Sequence, residues 1–149
     1  MMEHRLDIER DEVSLLTLVN WFSKVFEEKI SSLSPLKIIN QKGARFILKT
    51  LSIDNGITQN EIVRVTHLKG STISVALNQM EKEGLVERED SSTDLRKVRV
   101  YITEKGLETK KKIDEIIKTI EKSAFKDVSQ KDLHTALYVV STMINNLHQ

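Results

Sequence analysis

The stretch GITQNEIVRVTHLKGSTISVALNQMEKEGLVERED, Gly56 to Asp90, constrains the fold more than any other. Thr58-Gln59-Asn60-Glu61 is a capping box: the threonine hydroxyl and the glutamate carboxylate can each satisfy a backbone amide that the first helical turn leaves unpaired. It predicts a short helix carrying Ile62 and Val63. A turn over Thr66 to Gly70 then leads into a second helix, from about Ser71 to Glu83, which buries Ile73, Ala76, Leu77 and Met80. Gly84 stops that helix at the position where a left-handed backbone is needed. Two short helices joined by a tight turn read as a helix-turn-helix.

A hairpin comes next along the chain. The runs LVERED and KVRVYIT alternate as paired strands around a tip of small polar residues, Ser91, Ser92 and Thr93. Alternation sends Glu87 and Glu89 to one face and Arg88 with Asp90 to the other. Longer helices are predicted on both sides. A first, from roughly residue 6 to 30, carries Ile8, Leu15, Leu18, Val19, Phe22, Phe26 and Ile30 at three-and-four spacing, widened by Trp21 and Val25. A second is expected to be capped by Ser34, with Pro35 in its first turn, Phe46, Ile47 and Leu51 on its apolar face, and Asn55-Gly56 at its end. Gly43 falls in its middle, as a kink or a close helix contact. Thr103 starts a long helix with Leu107, Ile113, Ile116, Ile117 and Ile120 on one side. Ser129, answered by Asp132, caps the last, striped by Leu133, Ala136, Leu137, Val140, Ile144 and Leu147 and broadened by Val139 and Met143. Stripes this wide at both chain ends exceed one small core and point to a homodimer. Trp21 has two readings, a subunit contact or the edge of its own core.

Composition mainly excludes. A net charge of +1 does not announce a nucleic-acid binder, and the absence of cysteine removes disulfides, thiolate metal sites and a thiol redox switch. No apolar run reaches the ~20 residues that span a bilayer, and the charged N-terminus lacks a secretory pattern, so a soluble, cytoplasmic protein is expected. His4, His67, His134 and His148 are scattered, so neither a metal nor another cofactor is expected. Without a phosphate loop, nucleophile elbow or acid/base pair, no enzyme is expected.

Ser71, Val75, Asn78 and Lys82 share one face of the second short helix, flanked by Thr72 and Gln79. That face is either a solvated helix surface or a reader of DNA: its hydroxyls and amides suit phosphates and base edges, and Val75 suits a thymine methyl. The capping box before it and the hairpin after it favour DNA. From Gly56 to Gly106 the chain resembles the MarR family of winged helix-turn-helix transcriptional regulators. The resemblance is carried by GITQNEI, STIS, MEKEGLVER, the Asp and Arg of TDLRKVRV, and ITEKG. It covers about a third of the chain, and the helical ends suit the family's layout.

The resemblance implies a mainly α fold with a small β-hairpin wing. A winged helix-turn-helix region would span 35–106 of a single 1–149 chain, with 1–34 and 107–149 as helical dimerisation regions. It also implies a homodimeric, sequence-specific regulator, a repressor relieved by a small molecule or other signal, on a pseudo-palindromic double-stranded site. By position Ser71, Thr72 and Ser74 fall in the recognition helix's contact region. Thr58 and Gln59 meet the DNA backbone. In the wing Asp94 is the brace and Arg96 approaches DNA, with Arg88 and Lys97 beside them. Val75 and Gly70 depart from the basic or polar residues the family often carries there, which shifts base reading toward Asn78, Gln79 and DNA shape. An effector pocket is expected where the first two helices meet the long fifth one, with Trp21, Phe22 and Phe46 as candidate liners; plain core is the competing reading for each. A winged-helix protein-interaction module that reads no DNA is the alternative, supported by balanced charge and Val75.

Overall fold

In the computed structural model the described residues are 13–41, 43–90 and 98–148. They divide into two compact units, one ending at Ile117 and one beginning at Lys118. The first unit holds helix α1 (Leu15–Leu33), a 3-10 turn (Lys37–Asn40), α2 (Ala44–Ile53), strand β1 (Ile57–Thr58), α3 (Gln59–Thr66), α4 (Gly70–Lys82) and strands β2 (Val86–Asp90) and β3 (Val98–Ile102). Helix α5 (Glu104–Ala124) contains the unit boundary, and α6 (Gln130–Leu147) lies in the second unit.

The core of the first unit takes most of the side chains that periodicity assigns inward, adds Leu48, and leaves out Phe46, which is 51% exposed. Ile47, Leu48 and Leu51 of α2, Ile62 of α3, and Ile73, Ala76, Leu77 and Met80 of α4 are buried with Val86 and Val100 of the sheet. Helix α4 ends in a Schellman motif: Leu85 N–H donates to Met80 O at 2.8 Å and Gly84 N–H to Glu81 O at 2.9 Å. Gly84 takes φ +69° and Leu85 is buried behind it. That closure turns the chain straight into β2.

The second helix differs from its expected form. Ser34 ends α1 rather than starting α2: its extended backbone, ψ 126°, is what a following proline imposes, and its Oγ accepts from Leu36 N–H at 3.1 Å. After the 3-10 turn, Gly43 at φ +93° is the residue before α2, not its middle. A Cβ there would lie 3.4 Å from Leu68 Cδ1 and 3.6 Å from Thr72 Cγ2, so the backbone of Gly43 packs on the turn between α3 and α4. The close-contact reading is the one observed.

A strand absent from the sequence reading completes the sheet. Ile57 pairs with Val100 and Thr58 with Arg99, giving an antiparallel order β1-β3-β2. Arg88 lies opposite Val100 and shares the face of buried Val86, while Glu87 and Glu89 point the other way. Thr103 caps α5, accepting from Gly106 N–H at 3.0 Å and donating its own hydroxyl to Gly84 O at 2.7 Å. A Cβ on Gly106 would fall 2.2 Å from Leu85 O, which explains the glycine in Thr-x-x-Gly: α5 starts against the end of α4.

The terminal helices keep most of their stripes uncovered. On α1, Leu15, Leu16, Val19, Trp21, Phe22 and Val25 are exposed and only Ile30 is buried. In α6, capped by Ser129 as expected, no residue is buried, and Leu137, Tyr138, Ile144 and Leu147 are exposed.

Candidate nucleic-acid interface

The two short helices present an edge built from local chemistry. At α3 the capping box is closed in both directions: Glu61 Oε2 accepts from Thr58 N–H at 2.7 Å and from Thr58 Oγ1 at 2.8 Å, and Thr58 Oγ1 accepts from Glu61 N–H at 3.3 Å. These bonds, the backbone one foremost, hold the Glu61 carboxyl below the usual glutamate range, and the positive charges of Arg99 and Arg64 add to the effect. The consequence for stability has a definite sign. A depressed carboxyl contributes fully above its unfolded value and loses that contribution as pH falls through its lowered folded value. Thermal unfolding of wild type and Glu61→Gln, followed from neutral into acid, is therefore expected to show a gap that closes below the usual glutamate range. A pH-independent gap contradicts this.

Beyond α3, His67 takes φ 55° and accommodates the turn. Helix α4 then opens at Gly70 with no side chain among the described residues capping its first N–H groups, an arrangement that favours an anion at that end. Ser71, Val75, Asn78 and Lys82 are all exposed along α4, while Thr72 and Ser74 are half-buried, so the shared face read from the sequence is present. Val75 is 59 % exposed, an apolar spot on a polar surface. Thr58 and Gln59 sit half-buried at the start of α3.

Four of the candidate side chains are already engaged, Thr58 in the capping box and Asn78, Gln79 and Arg88 at α4. Arg88 reaches from β2 to α4, donating from Nη1 and Nη2 to Asn78 Oδ1, each at 3.0 Å, and from Nη1 to Glu81 Oε2 at 2.6 Å. Gln79 Nε2 donates to Glu83 Oε1 at 2.7 Å. Asp94, Arg96 and Lys97 lie outside the described residues. Arg99, absent from the candidate set, closes the base of the hairpin: its Nη1 donates to Gly56 O at 2.6 Å, tying β3 to the residue before β1. Only the β1–β3 register reveals that contact, because 43 positions separate the two residues.

A cavity of about 490 Å³ opens between α2, β1 and α3, lined by Phe46, Lys49, Thr50, Ile53, Asp54, Ile57, Val65 and Thr66. It includes Phe46 of the candidate effector set; Trp21 and Phe22 of α1 do not line it, and the two rings stand exposed on that helix. Among the described residues no group of three or more His, Asp or Glu side chains is placed to hold a metal ion, and no helix is long and apolar enough to cross a membrane.

Known proteins can be set beside this geometry. Residues 46–97 match the family model of the MarR family. Over 96 residues the chain is 33% identical to the organic hydroperoxide resistance transcriptional regulator of Bacillus subtilis (strain 168), a match covering 62% of each protein, so the chain spans under two thirds of that relative's length. Among solved structures, the PcaV transcriptional regulator from Streptomyces coelicolor, in complex with its natural ligand, superposes with a TM-score of 0.79 at 14% identity, over 89% of this chain and 96% of that one. Bordetella bronchiseptica BpsR, whose DNA binding is regulated by 6-hydroxynicotinic acid, gives 0.77 at 17% identity, over 87% and 92%. At these identities the two structures speak for the fold.

Proposed function

We propose that the chain is a member of the MarR family, which its match over residues 46–97 supports, and that it is a homodimeric, cytoplasmic, sequence-specific DNA-binding regulator, a repressor relieved by a small molecule, which works by binding rather than catalysis. The observation that carries this reading is the outward face of α4. Ser71, Val75, Asn78 and Lys82 stand exposed in line, beyond an uncapped helix N-terminus and without a carboxylate among them. Such a face can settle in a major groove with its amino end toward a phosphate, and a two-fold dimer would set two such helices about 34 Å apart on a pseudo-palindromic site. The uncovered apolar stripes of α1 and α6 support a second copy as partner.

The signal in this reading is a bound molecule. The B. subtilis relative is named for organic hydroperoxide resistance, whereas these 149 residues include no cysteine and so no thiol for a peroxide to oxidise. The cavity beside Phe46 has the size of a small-molecule site, mostly apolar with Lys49 and Asp54 as its charged liners.

Fluorescence anisotropy against genomic fragments, titrated over a range of salt, tests the DNA-binding reading. The expected result is a subset of fragments bound tightly, with affinity falling steeply as salt rises; each phosphate contact contributes a slope of roughly −0.9 in log–log form. Absent or salt-insensitive binding refutes it. Arg96→Ala separates it from the protein-interaction alternative, because it weakens a DNA reader by about tenfold and leaves a protein-binding module intact.

A further inference from the structure

The contact between Arg88 and Asn78 bears on what α4 can read. A guanidinium has only donors, so the amide atom facing it must be the oxygen, whichever way the amide would otherwise turn. Both Nη1 and Nη2 of Arg88 converge on Asn78 Oδ1, and the same Nη1 is anchored by Glu81. Arg88 is itself half-buried, its side chain 23% exposed, on the face of the sheet that carries Val86 and Val100. This brace is charge-assisted and shared among three residues, and the guanidinium is its half-buried member. The Gln79–Glu83 pair one residue further along is a single bond between two side chains.

We infer that Asn78 is a donor-only base reader, its carbonyl withdrawn from recognition by Arg88. An asparagine reads adenine by a two-bond pairing that needs both halves of the amide: Nδ2 donates to N7 while Oδ1 accepts from the N6 amino group. With Oδ1 held, Asn78 offers only its Nδ2 hydrogens, which match N7 or O6 of guanine, N7 of adenine, or O4 of thymine in the major groove. Arg88 is then a positioning residue that acts on sequence choice through Asn78, and the adenine-specific pairing is closed to the wild-type chain. This inference rests on the DNA-binding reading above and specifies how its recognition helix works.

The test selects preferred duplexes from a randomised pool with wild type, Asn78→Ala and Arg88→Met, then measures relative affinities for all four base pairs at each position. The pair whose preference flattens in Asn78→Ala is the one Asn78 reads. At that pair, wild type is expected to bind within about twofold when adenine is replaced by a purine lacking the N6 amino group. Arg88→Met frees Oδ1 and is expected to raise the relative preference for adenine there by about fivefold to tenfold, the effect of one added hydrogen bond. Ratios between sequences are taken on one preparation, so partial unfolding of the variant cancels. An unchanged ratio in Arg88→Met overturns the assignment. So does a wild-type chain that needs the amino group, or an Asn78→Ala chain that weakens every sequence alike. A wild-type chain that selects no sequence at all refutes the DNA-binding reading itself, a separate outcome.

Discussion

Leu137→Asp is expected to break the homodimer proposed above into monomers at micromolar concentration while leaving the fold of the single chain intact. Leu137 lies mid-stripe on α6 and is 61 % exposed within its own chain, so the carboxylate meets water, not core, when the chain stands alone. Placed between two subunits, the same carboxylate would be a desolvated charge without a partner, at a cost of several kcal/mol. Light scattering gives the mass and circular dichroism the helix content. Loss of the dimer with unchanged dichroism is the expected pair of results, and a variant that stays dimeric refutes the role given to α6. DNA affinity should drop with it, by on the order of a hundredfold or more, because two linked reading heads bind at a high effective concentration that a monomer lacks.

Gly56→Ala is expected to have a large effect on stability. Gly56 holds φ +77°, and a Cβ built on it would lie 2.5 Å from Tyr101 Cε1 on β3. Its N–H donates to Val100 O at 3.1 Å and its carbonyl accepts from Arg99 Nη1, so the peptide cannot retreat without breaking the joint between β1 and β3, and the Tyr101 ring must give instead. Left-handed backbone costs an L-residue roughly 1–2 kcal/mol and the forced overpacking about 1–3 kcal/mol more. The sum, on the order of 2–5 kcal/mol, is a large share of a domain's total stability. Urea unfolding measures it directly. A loss below about 1 kcal/mol would mean that Tyr101 can swing clear.

What the sequence discloses divides along the range of the forces involved. Capping at Thr58, Thr103 and Ser129 and the stop at Gly84 are contacts between near neighbours in the chain, and all four appear where the residues predict them. The inward residues of α4 follow from period alone. Strand β1 is not legible because two residues carry no alternation, and its existence depends on Val100 and Arg99 far along the chain. The start of α2 escapes the pattern for a related reason: Gly43 looks like a weak helix residue until the turn at Leu68 is packed against it. In the candidate site, the outward face of α4 can be named from spacing. The capture of Asn78 by Arg88 cannot, since it needs both the strand register and the approach of β2 to α4. The expected roles of Asp94, Arg96 and Lys97 fall outside the described residues.

The sheet order also bears on solubility. With β3 in the middle, β2 is an outer strand whose far side has backbone groups unpaired within the sheet. Such an edge is a template for strands of other chains, and association through it would remove protein from solution. Glu87, Glu89 and Asp90, which sit awkwardly beside a polyanionic ligand, are exposed along that strand. Two β2 edges brought together would set carboxylate against carboxylate, which opposes zippering of the hairpin onto its neighbours.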